Sequence, residues 1–224
     1  MIYQRMTRAI VFGLVAFPVA AATAGDLGFV RVEAKIEQGR AIVTFNGAQI
    51  GRGLILTCAH CCQSAGGRGA PVTVQVLAEG TWKPHRTVTG KVWCYDPKAD
   101  CGLIRLDDPD AIGTAYVLAP RGTKVETGQI VYALRWRRAS QDMSALRGQI
   151  TRVNPFLGPP TIETTTTPQP GESGGPLILA ERRQIVGVTS ALHLELQRGI
   201  YCGLEPIYDL LDECGQTALV EAMR

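Results

Sequence analysis

The sequence predicts an all-β fold that ends in a helix. Eight short runs rich in β-branched residues recur along the chain, and Gly, Pro, Asp or Asn separates them. Such runs at close spacing are typical of a β-barrel or a β-sandwich. With 224 residues, of which 46% are hydrophobic, the chain is long enough to bury one substantial core.

The predicted strands form two groups. The first group comprises residues 41–45, 54–57, 72–77, 87–95 and 102–106, and the second comprises 130–136, 176–180 and 184–192. The turn-rich segment 117–129 is the predicted connection between the two halves. A helix is predicted from about residue 206, because apolar residues then recur at helical spacing, with a break at Gly215.

The first 24 residues have the order of a secretory signal. Arg5 and Arg8 precede an apolar run, and small residues precede Gly25. We therefore expect cleavage after Ala24 and a secreted or periplasmic protein. An uncleaved membrane anchor is the alternative, but the run is short and Pro18 interrupts it. After cleavage, no membrane association is expected.

The charged residues do not indicate a nucleic-acid partner. The formal net charge of +3 is spread along the chain, without the basic stripe that marks nucleic-acid binding. No sequence feature indicates an oligomeric state.

All seven cysteines follow the predicted signal, where an oxidising compartment permits disulfides. Their odd number leaves at least one cysteine without a disulfide partner in the chain.

One serine lies in an unusually turn-rich segment. Ser173 belongs to "GESGGP" (171–176), and a serine hydroxyl reacts only when a base removes its proton and a third group orients that base. Of the three histidines, His60 is best placed, since it follows a predicted strand. Asp100 directly precedes another predicted strand and is the candidate orienting acid. Asp96 is the alternative, although Pro97 after it favours an exposed turn.

The chain order of these candidates resembles that of the trypsin-like (chymotrypsin-fold) serine peptidases. The resemblance rests on "TCAH" around His60, "DCGLIRL" from Asp100 and "GESGGP" around Ser173, and it extends over about residues 30 to 210. The short loops are more similar to compact bacterial members. The family resemblance implies a secreted serine endopeptidase that cleaves protein or peptide substrates through an acyl-enzyme, with no cofactor and no metal.

The resemblance also implies the architecture. Two six-stranded antiparallel β-barrels with a C-terminal helix are expected. After the signal (1–24), the N-terminal barrel would occupy residues 25–118, and the C-terminal barrel with the helix would occupy 119–224. Together they would form one peptidase domain.

Site residues carry over by position in the family motifs. Ser173 would be the nucleophile, His60 the general base and Asp100 the group that orients the imidazole. The backbone N–H groups of Gly171 and Ser173 would form the oxyanion hole. Gly171 would let a peptide N–H point into the site, and the following Gly174 and Gly175 would allow a tight chain reversal.

Substrate recognition is expected at three further positions. Thr167 occupies the position six residues before the serine that holds an acid in Arg/Lys-cleaving members, so a neutral pocket is implied. Ser190 lies in the segment that resembles the strand pairing with bound substrate. His193 follows it and would favour acidic side chains, although a surface histidine explains it as well.

Glu172 departs from the family pattern, which usually has Asp or Asn at this position. No "IVGG"-like start lies near the predicted mature N-terminus, so activation by a freed N-terminus is not expected. We expect Glu172 to pair with an arginine or with backbone donors. The family bridge beside the histidine would use Cys61, but no cysteine stands at its partner position. We expect a rearranged bridge instead, either from Cys61 or Cys62 to Cys94 or from Cys58 to Cys101, and a second bridge between Cys202 and Cys214.

Two other interpretations stay open. "CAHCC" (58–62), with Cys94 and Cys101, offers zinc ligands, but contiguous Cys61 and Cys62 suit one tetrahedral ion poorly. Alternatively, the chain is a catalytically latent or inactive member of the fold that serves as a secreted binding module, because fold alone does not establish function.

Overall fold

The computed structural model describes residues 26–36, 39, 41–137 and 141–222. Two closed six-stranded barrels follow one another along the chain, and short helices follow the second barrel. All named strand pairs are antiparallel. The two-barrel prediction is therefore confirmed, whereas the predicted signal lies outside the described residues.

The first barrel has the strand order β1-β2-β3-β6-β5-β4 and closes through β1 and β4. A short helix, α1 (Ala59–Ser64), leads from β3 to β4. The strands are β1 (Asp26–Ile36), β2 (Ala41–Gly51), β3 (Leu54–Thr57), β4 (Pro71–Ala78), β5 (Pro84–Asp96) and β6 (Cys101–Leu106).

The second barrel has the order β10-β11-β12-β9-β8-β7 and closes through β10 and β7. Its strands are β7 (Ile130–Arg137), β8 (Asp142–Val153), β9 (Thr161–Thr164), β10 (Pro176–Leu179), β11 (Gln184–His193) and β12 (Arg198–Cys202). Helices α2 (Leu204–Glu213) and α3 (Thr217–Glu221) follow. Residues 107–129 connect the barrels.

Alternating residues along the strands fill the barrels. In β4, Val72, Val74 and Val76 are buried, while Thr73 and Gln75 between them are partly exposed. This period of two places one face of the strand in the core, where burying each large aliphatic side chain contributes about 1.5–3 kcal/mol.

The C-terminal helices pack against the first barrel as well as the second. In α2, Ile207, Leu210 and Leu211 are buried at the predicted spacing, and α2 contacts β5, β6 and β11. Gly215, with φ of 64°, separates α2 from α3 where the sequence predicts a break. Within the described residues, none of the helices has the length and apolar character needed to cross a membrane.

The disulfide pairing differs from the expectation. Cys94 on β5 bonds to Cys214 at the end of α2, and the other five cysteines are buried free thiols. The expected bridges of Cys61 or Cys62 with Cys94, Cys58 with Cys101, and Cys202 with Cys214 are therefore wrong. The reason is the path of α2, which crosses from the second barrel and carries Cys214 to within 6.8 Å, Cα to Cα, of Cys94.

Candidate active site

His60 lies in the first turn of α1, directly after β3. All four residues of β3 are buried, and the chain turns into the helix at Cys58. Within α1, Ala59, Cys61 and Cys62 are buried, whereas the His60 side chain is 45% exposed. The apolar face of the short helix thus anchors it in the barrel and leaves the imidazole accessible.

Asp100 is hydrogen-bonded to His60 through both the ring and the backbone. Nδ1 of His60 lies 2.9 Å from Oδ2 and 3.0 Å from Oδ1 of Asp100, and the His60 backbone N–H donates to Oδ1 at 2.9 Å. The Ser190 hydroxyl donates to Oδ2 at 2.5 Å. The carboxylate therefore fixes the ring orientation, and Ser190 fixes the carboxylate.

The carboxylate of Asp96, the alternative to Asp100 as the orienting acid, accepts a hydrogen bond within its own turn. Oδ1 of Asp96 accepts the backbone N–H of Lys98 at 2.8 Å in an exposed turn. This is the arrangement that Asp adopts before a proline-containing turn. Asp100 is therefore the carboxylate beside the imidazole.

The contact between the two groups changes both pKa values. The hydrogen bond with Asp100 raises the pKa of His60, the contact with Cys58 raises it further, and burial only partly opposes this. Burial acts to raise the pKa of Asp100, but hydrogen bonds from His60 and Ser190 outweigh it and lower that pKa. Asp100 is thus an anion at neutral pH and stabilises a protonated imidazole.

The second ring nitrogen of His60 faces a thiol. Sγ of Cys58 lies 3.5 Å from Nε2. Burial raises the pKa of Cys58, so its thiol is neutral at ordinary pH.

In the part of the chain that the structure describes, Ser173 makes no hydrogen bond to His60. Such bonds are often long without substrate and tighten when substrate binds.

The loop that carries Ser173 belongs to the second barrel but docks on the first. The backbone N–H of Asn46 on β2 donates to the carbonyl of Ser173 at 2.8 Å. Gly174, with φ of 82°, lies so close to β2 and β3 that an added Cβ would be 2.2 Å from both the Asn46 carbonyl oxygen and Oγ1 of Thr57. At Gly175, a Cβ would be 2.3 Å from the carbonyl oxygen of Leu134. These clashes confirm the predicted need for two glycines.

Gly171 adopts a left-handed conformation with φ of 91°, which favours glycine. Its carbonyl accepts a hydrogen bond from the side chain of Asn46 at 3.4 Å. The backbone N–H groups of Gly171 and Ser173 make no hydrogen bond with any described residue. Both N–H groups are therefore available to an acceptor on a ligand.

Glu172 anchors the loop from its buried side. Its Oε1 lies 3.5 Å from Nη1 of Arg135, and its Oε2 accepts the backbone N–H of Gln169 at 2.9 Å. The prediction that Glu172 pairs with an arginine or with backbone donors is confirmed, since it has a partner of each kind. Burial raises the pKa of Glu172, and the Gln169 N–H and Arg135 only partly counter this. The loop conformation is therefore held by partners inside the second barrel.

The predicted recognition residues lie around this loop and β11. Oγ1 of Thr167 donates to the carbonyl of Gln197 at 2.8 Å, which ties it to the turn before β12. The His193 ring stacks on Phe156 with 6.1 Å between the ring centroids. Ser190 contacts Asp100, as described above. The roles of Thr167, Ser190 and His193 toward a substrate stay predictions.

The cysteines around His60 form a cluster. A ring nitrogen of His60 and the sulfurs of Cys58 and Cys61 lie within 4.8 Å of one another. The zinc set raised from the sequence differs from this cluster, because Cys94 is in the disulfide and the Cys101 thiol points to the carbonyl of Pro206.

Several contacts were not expected from the sequence. The Asn46 anchor, the hydroxyl of Ser190 on Asp100 and the thiol of Cys58 on His60 all join residues far apart in the chain or across a turn. The signal for Cys58 was present, since it stands two residues before the histidine. Nothing in the residues around Asn46 indicates its role.

Comparison with known proteins gives one family and one fold. A family model described as trypsin-like peptidase domain matches residues 41–188. No curated protein sequence gives a match. Among solved structures, the active form of the Rv3671c protease from M. tuberculosis is similar with a TM-score of 0.67 and 18% identity, over 93% of this chain and 96% of that chain.

A second similar structure is a variant of the HtrA-type protease AlgW with a tripeptide. Its TM-score is 0.68 at 16% identity, over 86% of this chain and 61% of that chain. At these identities the similarity shows the fold.

Proposed function

Because the chain belongs to the trypsin-like peptidase family, which its match over residues 41–188 shows, we propose that it is a serine endopeptidase acting through an acyl-enzyme. The observation that carries the proposal is the pair of hydrogen bonds between Asp100 and Nδ1 of His60, next to a serine loop docked on the same barrel. The proposed catalytic residues are His60, Asp100 and Ser173.

In the proposed reaction, Oγ of Ser173 attacks the carbonyl carbon of the scissile peptide. Nε2 of His60 takes the hydroxyl proton and later gives it to the leaving amine, so the first half-reaction yields an ester and a free amine. A water molecule, deprotonated by the same nitrogen, then hydrolyses the ester. Asp100 keeps the proton of the neutral ring on Nδ1, which leaves Nε2 as the base.

The oxyanion of the tetrahedral intermediate would be bound by the N–H groups of Gly171 and Ser173. Two observations support this: both groups lack a partner within the described chain, and the loop is fixed by Arg135 and Asn46 before any substrate binds. Donors fixed in advance stabilise developing charge without reorganisation, and one such donor is worth about 100- to 1000-fold in rate.

Substrate would bind as an added strand along the end of β11. Strand β10 pairs with β11 only as far as Val188, whereas β11 continues to His193 with β12 on its other side. The segment from Ser190 to His193 therefore has one unpaired edge, which an extended peptide can use. Thr167 would line a neutral pocket, so cleavage after Arg or Lys is not expected.

We further propose that residues 1–24 are removed as a signal and that the mature enzyme is secreted or periplasmic. The order of charged, apolar and small residues supports this. The Cys94–Cys214 disulfide is consistent with an oxidising compartment.

The test is labelling of the mature protein with a fluorophosphonate, which reacts with activated serines whatever the substrate. We expect stoichiometric labelling of the wild type and none in Ser173→Ala or His60→Ala. A folded wild type that does not label would favour the second candidate, a binding module. The contact of Nε2 with Cys58 rather than Ser173 is the observation that favours that candidate.

A further inference from the structure

We propose that Cys58, Cys61 and His60 form a site for one Zn²⁺ ion. One ring nitrogen and two sulfurs lie within 4.8 Å of one another, and cysteine and histidine are the usual ligands of zinc. The site would be regulatory, because it uses a side chain that the peptidase reaction also needs.

One distance between the donor atoms fits tetrahedral coordination. Zinc binds sulfur at about 2.3 Å and imidazole nitrogen at about 2.0–2.1 Å, so a tetrahedral site has a nitrogen–sulfur edge of about 3.5 Å. Nε2 of His60 lies 3.5 Å from Sγ of Cys58. Cys61 is three residues further on and sits on the same short helix as His60. The other two donor distances are at most 4.8 Å, so a small movement of the side chains would bring all three donors to one ion.

Asp100 prepares the histidine for this role. Ligating histidines commonly donate the N–H of the other ring nitrogen to a carboxylate, which fixes the tautomer and increases ligand basicity. Asp100 accepts the hydrogen bond that Nδ1–H of His60 donates. The lone pair of the neutral ring is therefore on Nε2, which faces Cys58. The 45% exposed side chain of His60 gives the ion a path from solvent, and water would be the fourth ligand.

The charges of the cluster balance on binding. Each thiol loses its proton to solvent, and two thiolates neutralise the dication. Affinity therefore rises with pH. No oxidant or reductant takes part.

Zinc would occupy the nitrogen that must accept the Ser173 proton. This consequence depends on the proposed peptidase function, because Nε2 of His60 cannot accept a proton from Ser173 while it coordinates the metal. At a zinc concentration 100 times Kd, about 1% of sites stay unoccupied. Serine labelling should then be about 100-fold slower and should recover when a chelator is added.

The binding experiment is independent of catalysis. Mature Ser173→Ala protein, with the Cys94–Cys214 disulfide intact, is titrated with Co²⁺, whose visible spectrum reports tetrahedral thiolate coordination, and Zn²⁺ is then used to displace it. The variants Cys58→Ser and Cys61→Ser are compared with Cys62→Ala. Cys62 is the matched control, because it is buried on the same helix but lies outside the cluster. Circular dichroism shows which variants fold.

The expected result is one tetrahedral Co²⁺ per chain, displaced by one Zn²⁺. Loss of even an outer partner costs about 10- to 100-fold in metal affinity, so each serine variant should bind more than about 100-fold more weakly, while Cys62→Ala binds as the parent does. Binding that survives both serine changes would overturn the proposal. So would absence of binding by the parent protein, or a Cys58–Cys61 disulfide in the mature protein.

Failure of the regulatory effect is separable from failure of the site. If the wild type never labels with fluorophosphonate but Co²⁺ binds as expected, the zinc site stands and the peptidase proposal falls. If labelling is normal and insensitive to saturating zinc, the regulatory consequence is refuted.

Discussion

The disulfide between Cys94 and Cys214 should contribute strongly to the free energy of unfolding. It joins residues 120 apart in sequence and fixes α2 to the first barrel. A cross-link lowers the entropy of the unfolded chain by an amount that grows with the logarithm of the loop length. For a loop of this length the chain-entropy relation gives roughly 16 cal/mol/K, or about 5 kcal/mol at 25 °C.

The test is the double variant Cys94→Ala/Cys214→Ala. We expect its free energy of unfolding, from urea titrations followed by circular dichroism and tryptophan fluorescence, to fall by about 3–5 kcal/mol, since measured values often lie below the entropic limit. For a domain of this size the corresponding decrease in Tm is about 6–20 °C, at roughly 2–4 °C per kcal/mol.

The matched control is Cys101→Ala/Cys202→Ala, which removes two buried sulfurs that form no bridge. It separates lost packing from the lost cross-link. The reasoning would be refuted if the bridge variant lost no more stability than this control. It would also be refuted if Cys94 in denatured wild type reacted with a thiol reagent without prior reduction.

Three further predictions concern the site and the second barrel. Asp100→Asn should keep the fold but slow fluorophosphonate labelling by up to about 10⁴-fold, because the ring loses its tautomer control; labelling within tenfold of wild type would contradict this. Gly174→Ala should abolish labelling or folding, because its Cβ would clash with the β2 backbone; a folded, labelled variant would contradict the docking geometry. The bond with Arg152 lowers the pKa of Glu163 from 4.5 to about 2, so this pair stabilises the fold above pH 4.5 and loses its effect as the pH falls toward 2. Thermal unfolding of Arg152→Gln should show a weaker acid dependence in that window, and an unchanged one would refute the assignment.

The family resemblance carried by a few motifs was enough to predict the two barrels, and the same motifs brought His60 and Asp100 together. Motifs work here because each has a local physical requirement. Gly174 and Gly175 have no room for a side chain, and Asp100 ends a turn directly before a buried strand. Such requirements can be seen in a single stretch of sequence.

Strand content was harder to predict where charged residues occupy the exposed face. In β1, Arg31, Glu33 and Lys35 alternate with buried Val30, Val32 and Ala34. The period of two is present, but the charged residues at alternate positions lower the β-propensity of the segment, so the strand was not predicted. Strands β8, β9 and β12 were missed as well, and α1 is too short to show a helical period.

Long-range pairing could not be predicted from the residues themselves. The partner of Cys94 depends on where α2 lies, and the anchor of Ser173 depends on how the two barrels meet. Neither relation leaves a local pattern, because the joined residues are about 120 positions apart. Composition and motif spacing do not contain that information.

Barrel closure also limits how readily one copy of the enzyme would cleave another. A protease of the proposed kind cleaves chains that it can hold in an extended form, and every strand of both closed barrels has a neighbour on each side along at least part of its length. A folded copy therefore offers few extended backbone segments that another copy can bind as substrate. The surface stretches that remain vulnerable are loops with exposed apolar side chains, such as the turn at Phe156 and Leu157. Self-digestion in a concentrated sample should begin there and leave the barrels intact.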